Sequence, residues 1–117
     1  MLQQLWNFVT GGMTFWYRVK MFIEHASIIT SDSMHVLAGV LILLLSALIL
    51  HRSILSWLPW LIVLALAVAN EAVDLWVEQW PDLAMQYGES AKDLLLTMTL
   101  PTILLLAARF RPQLFRR

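Results

Sequence analysis

The chain has 117 residues, 60% of them hydrophobic and 14% charged, with a mean hydropathy of +0.71 and a formal net charge of zero. That much apolar sequence exceeds what a soluble domain of this length carries, and the absence of net positive charge gives no ground for a nucleic-acid partner. With no cysteine in the chain, disulfides, thiolate metal sites and cysteine-linked lipid anchoring are excluded.

What remains is a small all-α membrane protein: three transmembrane helices over residues 30–117, ending in a basic tail, preceded by an N-terminal arm over residues 1–29. MLQQLWNFVTGG has neither a positive n-region nor an unbroken apolar core, so it does not read as a signal peptide. Gly11-Gly12 is expected to break any helix there. Beyond it, Phe15, Trp16, Val19, Phe22, Ile23 and Ala26 lie near one side of a helix, with Arg18, Glu24 and His25 mostly elsewhere. The density of ionisable groups between Arg18 and His25 argues against a span. The arm is therefore expected to be an amphipathic helix lying in the membrane interface, the alternative being a helix packed on a partner protein.

The first span is expected over Ser33–Leu50, capped by Ser31 or Asp32 and ended by His51 and Arg52. His35, Gly39, Ile42 and Ser46 share a face, and Gly39 and Ser46 would let another backbone approach closely. A short connection, residues 51–56, makes the next helix its antiparallel neighbour. That second helix is read over Ser56–Trp80, with Ser56 as cap and Pro59 in the first turn. Trp57 and Trp60 mark one membrane interface, and Trp76 and Trp80 the other. About 35 Å separates the two ends at ~1.5 Å per residue, enough to cross a bilayer. One face carries Asn70, Glu71, Asp74 and Glu78, and the opposite face carries Ala65, Ala69 and Ala72, a small-residue surface suited to docking another helix.

Pro81-Asp82 is expected to stop the second span, and residues 81–91 to form a loop or short surface helix broken at Gly88. The third span then runs over Ser90–Ala108, with Ser90, Asp93, Thr97, Pro101 and Leu104 on one face and a kink at Pro101. The tail contributes Arg109, Arg111, Arg116 and Arg117, which suit an anionic leaflet. Together with Arg52 these outnumber Arg18, Lys20 and Lys92 on the other side. The positive-inside rule therefore places the C-terminus in the cytoplasm, assuming a bacterial inner membrane.

In an up-down-up arrangement, the start of the first span, the end of the second and the start of the third share one membrane side. Asp32, His35, Asn70, Glu71, Asp74 and Asp93 are then expected to form a polar cluster there. Glu71 is the deepest carboxylate, and a carboxylate within a span needs a partner, with His35 the leading candidate and Asp93 nearby. Asp93 also suits the first turn of a helix through the helix dipole alone. A histidine with several carboxylates suits Zn, Mn or Fe, but the Glu-x-x-His spacing of di-iron bundles is absent, so no metal or cofactor is assigned. No nucleophile with a paired base, phosphate-binding glycine loop or HExxH motif is present, and the chain is read as non-enzymatic.

The order of these polar residues resembles the VanZ-like family of small bacterial membrane proteins. The matching stretches are SDSMH (Asp32, His35), ANEAVD (Glu71) and KDLLLT (Asp93, with Thr97 where the family has Asn). The resemblance implies an envelope-associated membrane protein, linked in some members to glycopeptide-antibiotic resistance. Two function classes follow. One is an accessory or structural subunit packing against other membrane-protein subunits. The other is an envelope protein whose acidic/His cluster binds a ligand or handles protons.

Overall fold

The computed structural model describes residues 1–26 and 30–115. The described residues form four α-helices, α1 (Leu2–Ala26), α2 (Ser31–Leu50), α3 (Trp57–Val77) and α4 (Leu83–Phe110), and a terminal 3-10 turn, Pro112–Phe115. Three of them, α2, α3 and α4, are long and apolar enough to cross a membrane. They pack on one another as an up-down-up bundle, and α1 lies against α3.

Helix ends depart from the sequence-based expectations in instructive ways. Thr30, rather than Ser31 or Asp32, caps α2, its Oγ1 accepting from Ser33 N at 3.2 Å. His51 ends α2 in the left-handed conformation, φ 52°, with its N–H and that of Arg52 turned back onto Leu48 and Ala47 carbonyls. Ser56 occupies the cap position of α3 but donates its hydroxyl to Ser53 O at 2.8 Å instead of capping. α3 ends at Val77, short of Trp80.

Two expected breaks do not occur. α1 runs unbroken through Gly11-Gly12, and α4 begins at Leu83 and runs through Gly88, so no loop separates residues 81–91 from the third span. Each interior glycine costs about 1 kcal/mol relative to alanine, which is less than the loss of a turn held on both sides. In α1 the holding contacts are Trp6 on Trp76 before the pair and Tyr17 and Lys20 on α3 after it. In α4 it is Asp82, whose Oδ1 accepts from Ala84 N at 2.9 Å and Met85 N at 3.3 Å and starts the helix early.

The bundle core is thin. Leu43, Val63, Ala67 and Met98 form its buried cluster, joined by Leu105 and the fully buried Pro59 and Pro101. Leu41, Leu44, Leu45, Leu48 and Ile49 of α2 point outward, as do Leu61, Leu66 and Val68 of α3 and Leu95 and Ile103 of α4. An apolar exterior over a thin core is the arrangement lipid favours, because hydrocarbon chains solvate leucine as well as a protein core does.

The tightest contact joins α2 to α4. Pro101 has no N–H to offer the carbonyl of Thr97 one turn earlier, and that carbonyl faces Gly39. A Cβ added to Gly39 would lie 2.1 Å from Thr97 O, against backbone that cannot give way. Gly39→Ala should therefore lower stability in detergent by about 1–3 kcal/mol, the usual cost of overpacking. Gly11→Ala, with nothing within 4 Å of its added methyl, should leave stability unchanged or raise it. Equal melting temperatures for wild type and Gly39→Ala would rule out this helix contact.

Candidate functional site

The helix contact at Gly39 and Thr97 is also what assembles the polar site. One turn toward the start of α2 from Gly39 stands His35. One turn toward the start of α4 from Thr97 stands Asp93. His35 Nε2 lies 3.3 Å from Asp93 Oδ2, and His35 Nδ1 lies 3.3 Å from Thr97 Oγ1. Thr97 donates its hydroxyl proton to Asp93 O at 2.9 Å. With its proton so placed, that hydroxyl suits the Nδ1–H tautomer of His35 as an acceptor, and Nε2 is the nitrogen that faces the carboxylate.

From the third helix, Glu71 completes the set. It is 8% exposed, the most deeply buried of the carboxylates, and ligand atoms of His35, Glu71 and Asp93 all lie within 4.8 Å of one another. Asn70 Nδ2 donates to Glu71 Oε1 at 3.2 Å. The nearest ion-pair partner of His35 is thus Asp93, and the leading partner expected for Glu71 is instead one member of a three-way group.

The other residues assigned to the cluster are placed differently. Asp74 turns away from the triad to take the ammonium of Lys20 on α1, at 2.5 Å. Asp32 is exposed at the rim, 3.3 Å from Lys92 Nζ, which also lies 2.8 Å from Glu89. Asn70 accepts from Trp16 Nε1 at 3.1 Å through its other amide atom. Glu78 accepts from Tyr17 at 2.7 Å and from Trp80 Nε1 at 3.1 Å.

Between α1 and the bundle these groups line a chamber of about 720 Å³. Its walls hold six carboxylates, Glu24, Glu71, Asp74, Glu78, Glu89 and Asp93, against Lys20 and His35. Sequence reasoning missed Trp16, Tyr17 and Lys20 as site residues, and with them Gln86 and Ser90. Gln86 is buried and ties the far end of α3 to α4 by donating to Glu78 O at 2.7 Å. Lys20 was legible only as the one cation whose spacing from Trp16 and Tyr17 puts all three on one edge of α1.

Of the remaining assigned residues, the tryptophans lie toward the bundle ends. Trp57 and Trp60 stack edge to face, with Arg109 over the Trp57 ring and Trp60 Nε1 donating to Thr102 at 3.0 Å. Trp76 packs on Trp6. Ala65, Ala69 and Ala72 are exposed, and Ala69 also borders the chamber. Arg111 is exposed beyond α4, and Arg116 and Arg117 lie outside the described residues.

On the α1 side the proton equilibrium of Tyr17 is perturbed. Its hydrogen bond to the Glu78 carboxylate, with burial and the neighbouring negative charges adding to it, pushes the phenol up to about 12. The neutral phenol is the docking form. The contact is therefore fully present below the ordinary value of 10.0 and is lost as pH rises through about 12. Phenolate absorbance in a Tyr87→Phe background, which leaves Tyr17 as the only tyrosine, should titrate near 12, and adding Glu78→Gln should bring it down. A Tyr17 that titrates at the ordinary value in both would mean that α1 does not dock in this way. No protein-family model, curated protein or solved structure matches this chain.

Proposed function

We propose that this is a small integral membrane protein of the bacterial cell envelope that accepts a small cationic solute in the acidic chamber, with α1 as its cover. The observation that carries this reading is Glu71, a carboxylate 8% exposed within an apolar bundle, facing His35 and Asp93 in a chamber whose ionisable lining is six carboxylates against Lys20 and His35. A charged group at that depth is expensive in lipid and is retained where something positive meets it. The VanZ-like resemblance is carried by Asp32, His35, Glu71 and Asp93 and by nothing else in the chain.

The proposed orientation puts the chamber on the periplasmic side and the C-terminus in the cytoplasm. The support is the count of Lys and Arg in the sequence, Arg18, Lys20 and Lys92 on the chamber side against Arg52 and the four arginines of the tail on the other. The α1 helix, with Phe15, Trp16, Phe22 and Ile23 exposed, is taken to lie in the interface. Cysteines introduced at Ser53 and at Tyr87, both exposed, should label from opposite sides of the membrane. Labelling of both from one side would overturn the orientation and the three-span arrangement together.

The chain has no cysteine of its own, so a single Ser90→Cys reports chamber access cleanly. A cationic methanethiosulfonate should react there at least about tenfold faster than an anionic one, through the same electrostatic focusing that concentrates cations in acidic clefts. Lys20→Ala should speed both reactions by loosening α1. Equal rates for the two reagents would sink the cation-accepting reading. The accessory-subunit reading is favoured by one observation, the exposed line Ala65, Ala69 and Ala72 on α3. It requires a second membrane protein to co-purify in mild detergent and to be lost on Ala65→Leu/Ala72→Leu.

A further inference from the structure

We propose that His35, Glu71 and Asp93 hold one divalent transition-metal ion of the zinc, manganese or iron(II) class. The inference rests on the cation-accepting reading of the chamber and names the cation at its deepest point.

The first argument is the hydrogen-bond network around His35. Thr97 has one hydroxyl proton, and it goes to Asp93 O at 2.9 Å. The tautomer that suits this arrangement presents Nδ1–H to Thr97, at 3.3 Å. In the neutral ring this leaves a lone pair on Nε2, aimed at Asp93 Oδ2 only 3.3 Å away. Two lone pairs facing each other at that distance repel unless a cation or a proton lies between them. Glu71 adds a third electron-rich donor to the same space. A metal-ligating histidine has this pattern, with one nitrogen held by an outer hydrogen bond and the other turned to the ion.

The second argument is spacing. Ligands about 2.0–2.2 Å from a tetrahedral ion lie about 3.4 Å apart. The His35–Asp93 pair, at 3.3 Å, already has that separation. Glu71 has a carboxylate oxygen within 4.8 Å of both, at the end of a flexible side chain. The three donors come from three different helices, so the bundle itself positions them. Asn70 Nδ2 steadies Glu71 Oε1 at 3.2 Å as an outer contact of the same kind.

The third argument is charge. A dication held by Glu71 and Asp93 would neutralise the two carboxylates in their ionised form, which an apolar bundle otherwise disfavours. Imidazole among the donors selects zinc, manganese or iron over calcium and magnesium. Three protein ligands leave at least one coordination position turned to the chamber, where water or a solute can bind.

The test uses the full chain purified in detergent without a polyhistidine tag, stripped with chelator and titrated with Zn²⁺, Mn²⁺ and Co²⁺. One equivalent of metal should bind and survive desalting, Co²⁺ should give the visible d–d bands of a low-coordinate nitrogen–oxygen site, and metal should raise the melting temperature. His35→Ala and Glu71→Gln should abolish stoichiometric binding. Thr97→Val should weaken it by about 10–100-fold, the usual effect of losing an outer-shell partner. Asp32→Asn, at the exposed rim, should bind as wild type does. Failure of the wild-type protein to bind one equivalent of any of the three ions overturns the site whatever the variants do, as does undiminished binding by His35→Ala. If the metal fails while the cationic reagent still enters Ser90→Cys faster than the anionic one, only this site falls. If that preference is also absent, the chamber reading falls with it.

Discussion

The contact between Gly39 and the carbonyl of Thr97 is the constraint on which the rest of this structure depends. It arises from two residues lacking what others have. Pro101 lacks the N–H that would hold the Thr97 carbonyl within α4, and Gly39 lacks the Cβ that would keep α2 away from it. On α4 the residues Asp93, Thr97 and Pro101 follow at intervals of four, so they form one ridge. On α2, His35, Gly39 and Leu43 do the same. Fixing the two ridges at Gly39 and Thr97 fixes them one turn away, where His35 meets both Thr97 Oγ1 and Asp93. The polar site is therefore a consequence of backbone approach in the bundle, and its geometry is as rigid as that approach.

In lipid this dependence is sharper than it would be in water. The outward leucines of α2, α3 and α4 gain nothing from leaving hydrocarbon for a protein interior, so hydrophobic burial does not drive the three helices together. Close packing of Gly39, Ser46, Ala47 and Ala67 and the polar contacts at the two ends must do so. At one end these are Trp60 to Thr102 and Arg109 over Trp57. At the other they are the His35–Asp93–Thr97 network and Gln86 on the last turn of α3. The buried acid is thus part of what orders the bundle as well as its candidate chemistry.

How much of this was legible depended on whether the signal lay within one helix. The three apolar helices, the Gly39 approach and the shared polarity of one bundle end follow from spacings inside single segments, and the sequence shows them. The grouping of His35, Glu71 and Asp93 comes from three helices, so no motif such as Glu-x-x-His could mark it. The roles of Asp74 and Glu78 were hidden for a related reason. Their partners Lys20 and Tyr17 sit on an arm whose docking face is set by α3. That arm was expected to be broken at Gly11-Gly12, where glycine propensity alone spoke, and contacts on both sides of the pair outweigh it. At Gly88 the same expectation failed because the Asp82 cap starts α4 upstream of the glycine.

The α1 helix differs from the other three in what holds it. None of its residues is buried, and its ties to α3 are Lys20 to Asp74, Tyr17 to Glu78, Trp16 to Asn70 and the Trp6–Trp76 pair. A part-exposed ion pair is worth at most about 1 kcal/mol, and neutral hydrogen bonds about as much each. Such a helix belongs to the low-stability end of a structure, where local opening precedes global unfolding. The bundle beneath it is held by contacts that do not involve α1, so α1 can leave with the three helices in place, its one link to the triad being Trp16 on Asn70, which in turn bonds Glu71. Its polar ties also all fall on the chamber rim. Undocking α1 removes the ammonium of Lys20 from Asp74 and takes a wall from the chamber, so access and negative charge rise together. A cation at the rim would compete with Lys20 for Asp74 before reaching Glu71, which gives a cover of this kind a direct electrostatic link to what it covers.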